Sequence, residues 1–213
     1  MNPAEDVPIR VIIADDQAII REALAALIRL EPDIDVVALA GGSGDAVALA
    51  AEHEPDVILM DVQMPGDGMV KDGIEATARI VAARPAIRVI ILTTFGRPGY
   101  LRRAMEAGAV GFMVKDSPAD RLVDGIRRVH AGLRVVDPTL AADSLSIGAS
   151  PLTDRETEVL AAAARGGSTA AIAAAVFLSE GTGRNHLSAA MGKLGAGSRA
   201  EAVRIATDNG WLG

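Results

Sequence analysis

Nine residues constrain this chain more than any others: Val57-Ile58-Leu59-Met60-Asp61-Val62-Gln63-Met64-Pro65. Four apolar residues run straight into an acid, and a proline follows four positions later. A run that short and that apolar reads as a strand buried on both faces, as in a parallel sheet. Asp61 then stands where the strand ends. In open parallel α/β sheets, ligands bind at that edge. An acid after a strand is by itself most simply a loop or cap residue. Here three further segments aim residues at the same edge.

The pattern repeats through the first half of the chain. Ile9 to Ala14 is a buried strand ending in Asp15-Asp16, and Ile20, Leu24, Leu27 and Ile28 follow at helical spacing. Glu31-Pro32 closes that helix, because the residue before proline is pushed out of helical geometry. Ile34 to Ala40 is a second strand. Gly41-Gly42-Ser43-Gly44 lacks the lysine of a phosphate loop and reads as a turn, with a helix from Asp45 to His53. Beyond Asp61 a polar loop leads into a helix ending near Ala83. Ile87 to Leu92 is a fourth strand ending in Thr93-Thr94, and Val110 to Val114 a fifth ending in Lys115. Helices follow both. Five strands alternating with five helices predict an α/β domain, its parallel sheet covered on both faces through right-handed crossovers.

The second half is different. Asp137 to Ser150 scatters Pro, Ser and Gly among small residues and reads as a linker. Thr153-Asp154-Arg155-Glu156 is a capping box, in which hydroxyl and carboxylate satisfy the orphan amides at a helix start. Ser168 and Ser179 are candidate caps for two more helices, and Ser198-Arg199-Ala200-Glu201 reads as a second capping box. Four short helices, the middle pair tightly joined, make a helix-turn-helix arrangement. The domains expected are therefore 1–136 and 151–213, with a linker over 137–150.

Charge separates the two halves as well. The net charge of −7 falls entirely on residues 1–150, which hold 15 bases against 22 acids; from Pro151 onward there are six of each. The acidic front is a poor partner for DNA. The back is less basic than nucleic-acid binders usually are. There is no cysteine, which excludes disulfides and thiol chemistry. No apolar run approaches the ~20 residues of a membrane span. Met1 to Arg10 lacks the blocks of a signal peptide. A cytoplasmic protein with no membrane insertion is expected.

The four strand ends carry the chemistry. Three carboxylates meeting at one edge repel each other, and a hard divalent cation with oxygen ligands, Mg²⁺ above all, resolves this. A carboxylate held beside such a cation is a nucleophile for phosphoryl transfer. A lysine at the same edge supplies a positive point charge for a phosphoryl oxygen, and a threonine hydroxyl donates to another. Asp15, Asp16, Asp61, Thr93 and Lys115 together read as a phosphorylation site on Asp61, although Lys115 alone would equally suit a structural salt bridge.

These motifs resemble the response regulators of the NarL/FixJ class, a receiver domain joined to a LuxR-type helix-turn-helix. Ala14-Asp15-Asp16-Gln17, Met60 to Pro65, Leu92-Thr93-Thr94 and Val114-Lys115-Asp116 carry the receiver likeness. Leu152 to Glu156, Ser179 to Thr182 and Arg184-Asn185-His186 carry the other. The run Thr93 to Tyr100 is most similar to regulators of fatty-acid desaturase genes. The resemblance implies a flavodoxin-like sheet of five strands in the order 2-1-3-4-5. It implies a histidine kinase as phosphoryl donor and no enzymatic activity beyond the receiver's own phosphorylation and dephosphorylation. Asp16 and Asp61 would bind Mg²⁺ directly, with the Gln63 carbonyl, and Asp15 through water. Phe112 would be the switch aromatic, although core packing accounts for it equally. Arg184, Asn185 and Ser188 would read base edges in the major groove of double-stranded DNA, with Lys193 on a phosphate. A homodimer formed on phosphorylation would read paired half-sites, with RNA polymerase as a further contact.

Three departures from the family pattern carry expectations. Six residues, where the family has two, separate Pro65 from Asp72-Gly73, and the extra ones should bulge outward and leave the site intact. Gly183 replaces a β-branched residue inside the recognition helix, so Gly183→Val should stabilise the domain. Phe95, two residues past Thr93, should obstruct water and lengthen the life of the phosphorylated form. Two other functions compete with this reading. One is a phosphorylation-independent DNA-binding regulator. The other is a phosphotransferase with an aspartyl intermediate, which needs a second acid where Gln63 stands.

Overall fold

Each short apolar run becomes a strand. The computed structural model describes residues 7–66, 69–94, 98–138, 140–142 and 150–212. The strands are β1 Ile9–Ala14, β2 Ile34–Ala40, β3 Val57–Asp61, β4 Arg88–Thr93, β5 Gly111–Val114 and β6 Val135–Val136. All pair in parallel, in the order β2-β1-β3-β4-β5-β6. Every residue of β3 is buried, which is why its sequence shows no alternation. Helices α1 Ala18–Ile28, α2 Ser43–His53, α3 Gly73–Ala83, α4 Pro98–Glu106 and α5 Ala119–His130 follow the first five strands in turn. On α5 the apolar stripe Leu122, Val123, Ile126 and Val129 is buried in the core with Val11, Leu59, Ile90 and Met113. Arg127, Arg128 and His130 occupy its last turn, where positive charge suits the helix dipole.

Two expectations need correction. Among the described residues the sheet has six strands, not five. Val135–Val136 extends it along β5, with the Val135 N–H on the Val110 carbonyl at 3.1 Å and the Asp137 N–H on the Phe112 carbonyl at 3.2 Å. Two residues show no periodicity of their own; the free edge of β5 makes them a strand. Second, α2 starts at Ser43, so half of the glycine-rich turn is helical, and Gly42 is its N-cap in extended conformation.

The chain divides into two compact units, Met1–Gly96 with Arg103–Leu140, and Arg97–Arg102 with Ala141–Gly213. The second contains α6 Asp154–Ala164, α7 Thr169–Ala175, α8 Glu180–Leu194 and α9 Arg199–Asp208. Leu152, Val159, Leu160, Ile172, Leu187 and Leu212 form its core with a set of alanines. The Thr153–Glu156 capping box is complete, and Ser168 and Ser179 cap α7 and α8 as expected. The second box is only half formed. Ser198 accepts from the Glu201 N–H, but Glu201 reaches back past Ser198 to the Gly197 N–H at 2.9 Å.

Candidate functional site

Parallel strands that all end at one edge bring the expected residues together. Asp61 closes β3 and Thr93 closes β4, both buried; Asp15 and Lys115 follow β1 and β5 directly. Asp15 is buried and Asp16 exposed, and carboxylate oxygens of Asp15, Asp16 and Asp61 all lie within 4.8 Å of one another. A pocket of oxygen donors with one open flank fits a hard divalent cation such as Mg²⁺. The Lys115 ammonium sits 2.7 Å from Asp15 Oδ2 and 2.9 Å from Asp61 Oδ2. Its main-chain N–H donates to the Thr93 carbonyl at 2.8 Å, which ties the ends of β4 and β5 together. Gln63 is exposed, and its N–H donates to the Asp61 carboxylate. Phe112 is fully buried within β5.

The electrostatics follow from burial. Loss of water pushes the Asp61 carboxyl up. The Lys115 hydrogen bond and charge pull it partly back, and the Asp15 charge adds to the rise. Burial alone would lower Lys115, but its two carboxylate partners reverse this and leave it raised. The lysine therefore stays charged, and a single ammonium faces three acids. The excess negative charge calls for a cation.

Neighbouring residues hold the pocket in shape. The Gln17 N–H donates to Asp15 Oδ1 at 2.9 Å, and Arg21 Nη1 to the Asp15 carbonyl at 2.6 Å. Gly73 begins α3 so close to the end of β3 that a Cβ there would collide with the Asp61 carbonyl. Sequence reasoning missed both Arg21 and Gly73. Arg21 follows Gln17 by one helical turn, which was the available signal; nothing local marked Gly73 as a contact. Asp72 caps α3 by accepting from the Glu75 N–H at 2.8 Å.

The long β3–α3 loop only partly behaves as expected. Met69 points outward at 72% exposure, but Val70 turns in and is buried. Arg79 binds the Met69 carbonyl and, at 2.8 Å, Glu75, which in turn accepts from the Lys71 N–H at 3.1 Å. Asp67 and Gly68 of this loop, and Phe95, lie outside the described residues.

In the helical unit, Arg184, Asn185 and Ser188 are all exposed on α8. Arg184 Nη2 lies 2.7 Å from Glu180 Oε1. Lys193 is paired at 2.7 Å with Glu156, the acid of the α6 capping box. Gly183 is buried, and a Cβ on it would lie 2.7 Å from the Ala173 Cβ of α7. This close approach argues against the expected gain from Gly183→Val, because a β-branched side chain there requires α7 and α8 to move apart.

Comparison with known proteins agrees with this arrangement. Residues 11–127 match the response regulator receiver domain, and residues 150–206 match the bacterial regulatory proteins of the luxR family. The chain is 41% identical to the transcriptional regulatory protein DesR of Bacillus subtilis over 204 residues, 96% of this chain and 99% of that one. It is 37% identical to LnrK of the same organism over 212 residues, 92% and 94% of the two chains. The crystal structure of ChrA, the response regulator of a heme-sensing two-component system, is 32% identical with a TM-score of 0.57, covering 94% of this chain and 96% of that one. Among the described residues no helix is long and apolar enough to cross a membrane.

Proposed function

The chain belongs to the two-component response regulators that join a receiver domain to a LuxR-type helix-turn-helix domain, and on that premise we propose that phosphorylation of Asp61 controls its binding to DNA in the cytoplasm. The receiver is assigned to residues 1–136, the linker to 137–150 and the DNA-binding domain to 151–213. The observation that carries the reading is the meeting of three carboxylates, within 4.8 Å of each other, with the Lys115 ammonium at 2.9 Å from Asp61.

Asp15, Asp16, Asp61 and the Gln63 carbonyl would hold Mg²⁺. When bound, the ion supplies positive charge to the pocket and to the phosphoryl oxygens. Asp61 attacks the phosphorus of a kinase phosphohistidine; the new O–P bond forms as the P–N bond breaks, and the leaving imidazole takes up a proton. Lys115 moves from pairing with Asp61 to pairing with a phosphoryl oxygen, and the Thr93 hydroxyl donates to another. Thr93 drawn inward repacks Phe112 and the surface of α4 and α5. The active form dimerises and lays two copies of α8 in successive major grooves, where Arg184, Asn185 and Ser188 read bases. Lys193 contacts a phosphate only by leaving Glu156. RNA polymerase is the further contact through which transcription responds.

Acetyl phosphate with Mg²⁺ tests this by intact mass. Wild type should gain one phosphoryl group, and Asp61→Asn none. An unmodified wild type that still binds DNA would return the chain to the phosphorylation-independent alternative.

A further inference from the structure

The helical unit pairs four of its six Lys/Arg residues with its own acids, while Arg165 stands exposed with no ion pair among the described residues. Arg155 pairs with Glu158 at 2.6 Å, Lys193 with Glu156 at 2.7 Å and Arg204 with Asp208 at 3.5 Å. Arg199 donates to the Gly167 carbonyl at 2.8 Å. The exposed positions Gly181, Thr182, Asn185, Ser188, Ala189 and Gly192 of α8 carry no charge. What remains at the start of the helix is the Glu180–Arg184 pair, with side chains 51% and 68% exposed.

An exposed (i, i+4) pair adds only a few tenths of a kcal/mol to a helix. An acid in the first turn does suit the helix dipole. It also puts negative charge on the end of the helix that, in a helix-turn-helix, approaches DNA. Phosphates repel a carboxylate there unless it faces a donor. The major groove offers two amino donors, cytosine N4 and adenine N6; the adenine N7 acceptor beside N6 repels a carboxylate, so cytosine suits Glu180, as guanine O6 and N7 suit arginine.

Resting on the DNA-binding reading of α8, we propose that Glu180 and Arg184 are the specificity-determining pair of this domain. Arg184 donates to guanine O6 and N7. Glu180 holds the guanidinium in place and accepts from the N4 amino group of a neighbouring cytosine. With few unpaired bases available for phosphates, discrimination comes from base edges, and the affinity depends only weakly on salt.

The test is selection from a random duplex pool by the full-length phosphorylated protein, followed by anisotropy titrations at several salt concentrations. Wild type should select half-sites containing a guanine and a nearby cytosine, with a shallow salt slope. Glu180→Ala should bind random duplex more tightly, steepen that slope by about one, and lose roughly tenfold or more of the preference at the cytosine. Glu180→Gln should shift that position toward adenine, the base glutamine suits. Arg184→Ala should lose the guanine instead. A Glu180→Ala protein with wild-type preference and slope overturns the proposal and leaves the DNA-binding reading standing. A wild type that selects no sequence overturns both.

Discussion

Lys115 and Lys193 each close an ion pair on a nearly buried carboxylate, and the two regions use the same chemistry to opposite ends. In the helical unit one lysine meets one acid. Glu156 also accepts from the Thr153 N–H at 2.7 Å. The Lys193 hydrogen bond outweighs burial there and holds the Glu156 carboxyl below the usual range. At the sheet edge one lysine is shared between Asp15 and Asp61, with Asp16 close by. There burial wins, and Asp61 is pushed up. The first arrangement fastens a helix. The second is a standing shortage of positive charge, which a fold tolerates at a site that takes a ligand.

Removing each lysine tests the contrast most strongly. Lys115→Met leaves the buried Asp15 and Asp61 carboxylates with main-chain N–H donors but no cation, and losing one side of a buried pair costs about 3–5 kcal/mol. Lys193 is 38% exposed and its acid keeps the Thr153 bond, so Lys193→Met should cost about 1 kcal/mol or less. Urea unfolding with and without Mg²⁺ measures both. Mg²⁺ should restore much of the loss in Lys115→Met and none in Lys193→Met. Equal losses, or a Mg²⁺ response in both, would erase the distinction.

A second contrast lies in two glycines. Gly73 lets α3 approach the Asp61 carbonyl, and Gly183 lets α8 approach Ala173. Adding side-chain volume at such a crossing costs about 1–3 kcal/mol, so Gly183→Val should lower the melting temperature of the helical unit. Ala173→Gly introduced alongside should recover part of that loss, because it removes the opposing Cβ. A Gly183→Val protein at least as stable as wild type would mean that α7 can move away at little cost.

What the sequence revealed is consistent with this difference between the regions. Asp15, Asp61, Thr93 and Lys115 were legible because each stands at the sharp boundary of an apolar run, and parallel topology gathers such boundaries at one edge. The Thr153 and Ser179 caps were legible because their partners lie three residues away. Contacts between distant segments were not. Lys193 meets Glu156 across 37 positions, Val135–Val136 becomes a strand only beside β5, and Val70 is buried by what surrounds it. At Gly183 the missing side chain was legible but the opposing Ala173 was not, and the crossing predicts the opposite sign for Gly183→Val.

The smallest effect, and the one that separates the two carboxylates most directly, is the response to acid in metal-free buffer. Glu156 has a lowered folded-state value. Its contribution is therefore present above the ordinary glutamate range and is lost as pH falls through the lowered value. Asp61 has a raised folded-state value. Its contribution is present below the ordinary aspartate range and is lost as pH rises through the raised value. Acidification should thus weaken protection of the Val159 and Leu160 amides through Glu156, while Asp61 works in the other direction at Leu59 and Met60. Hydrogen exchange, corrected for intrinsic rates, reads both in the full chain. Glu156→Gln should flatten the acid-side loss in α6 and leave β3 unchanged, and Asp61→Asn should do the reverse. If the two substitutions shift protection in the same direction, the two acids are held alike, and the opposition between fastener and ligand site fails at its electrostatic root.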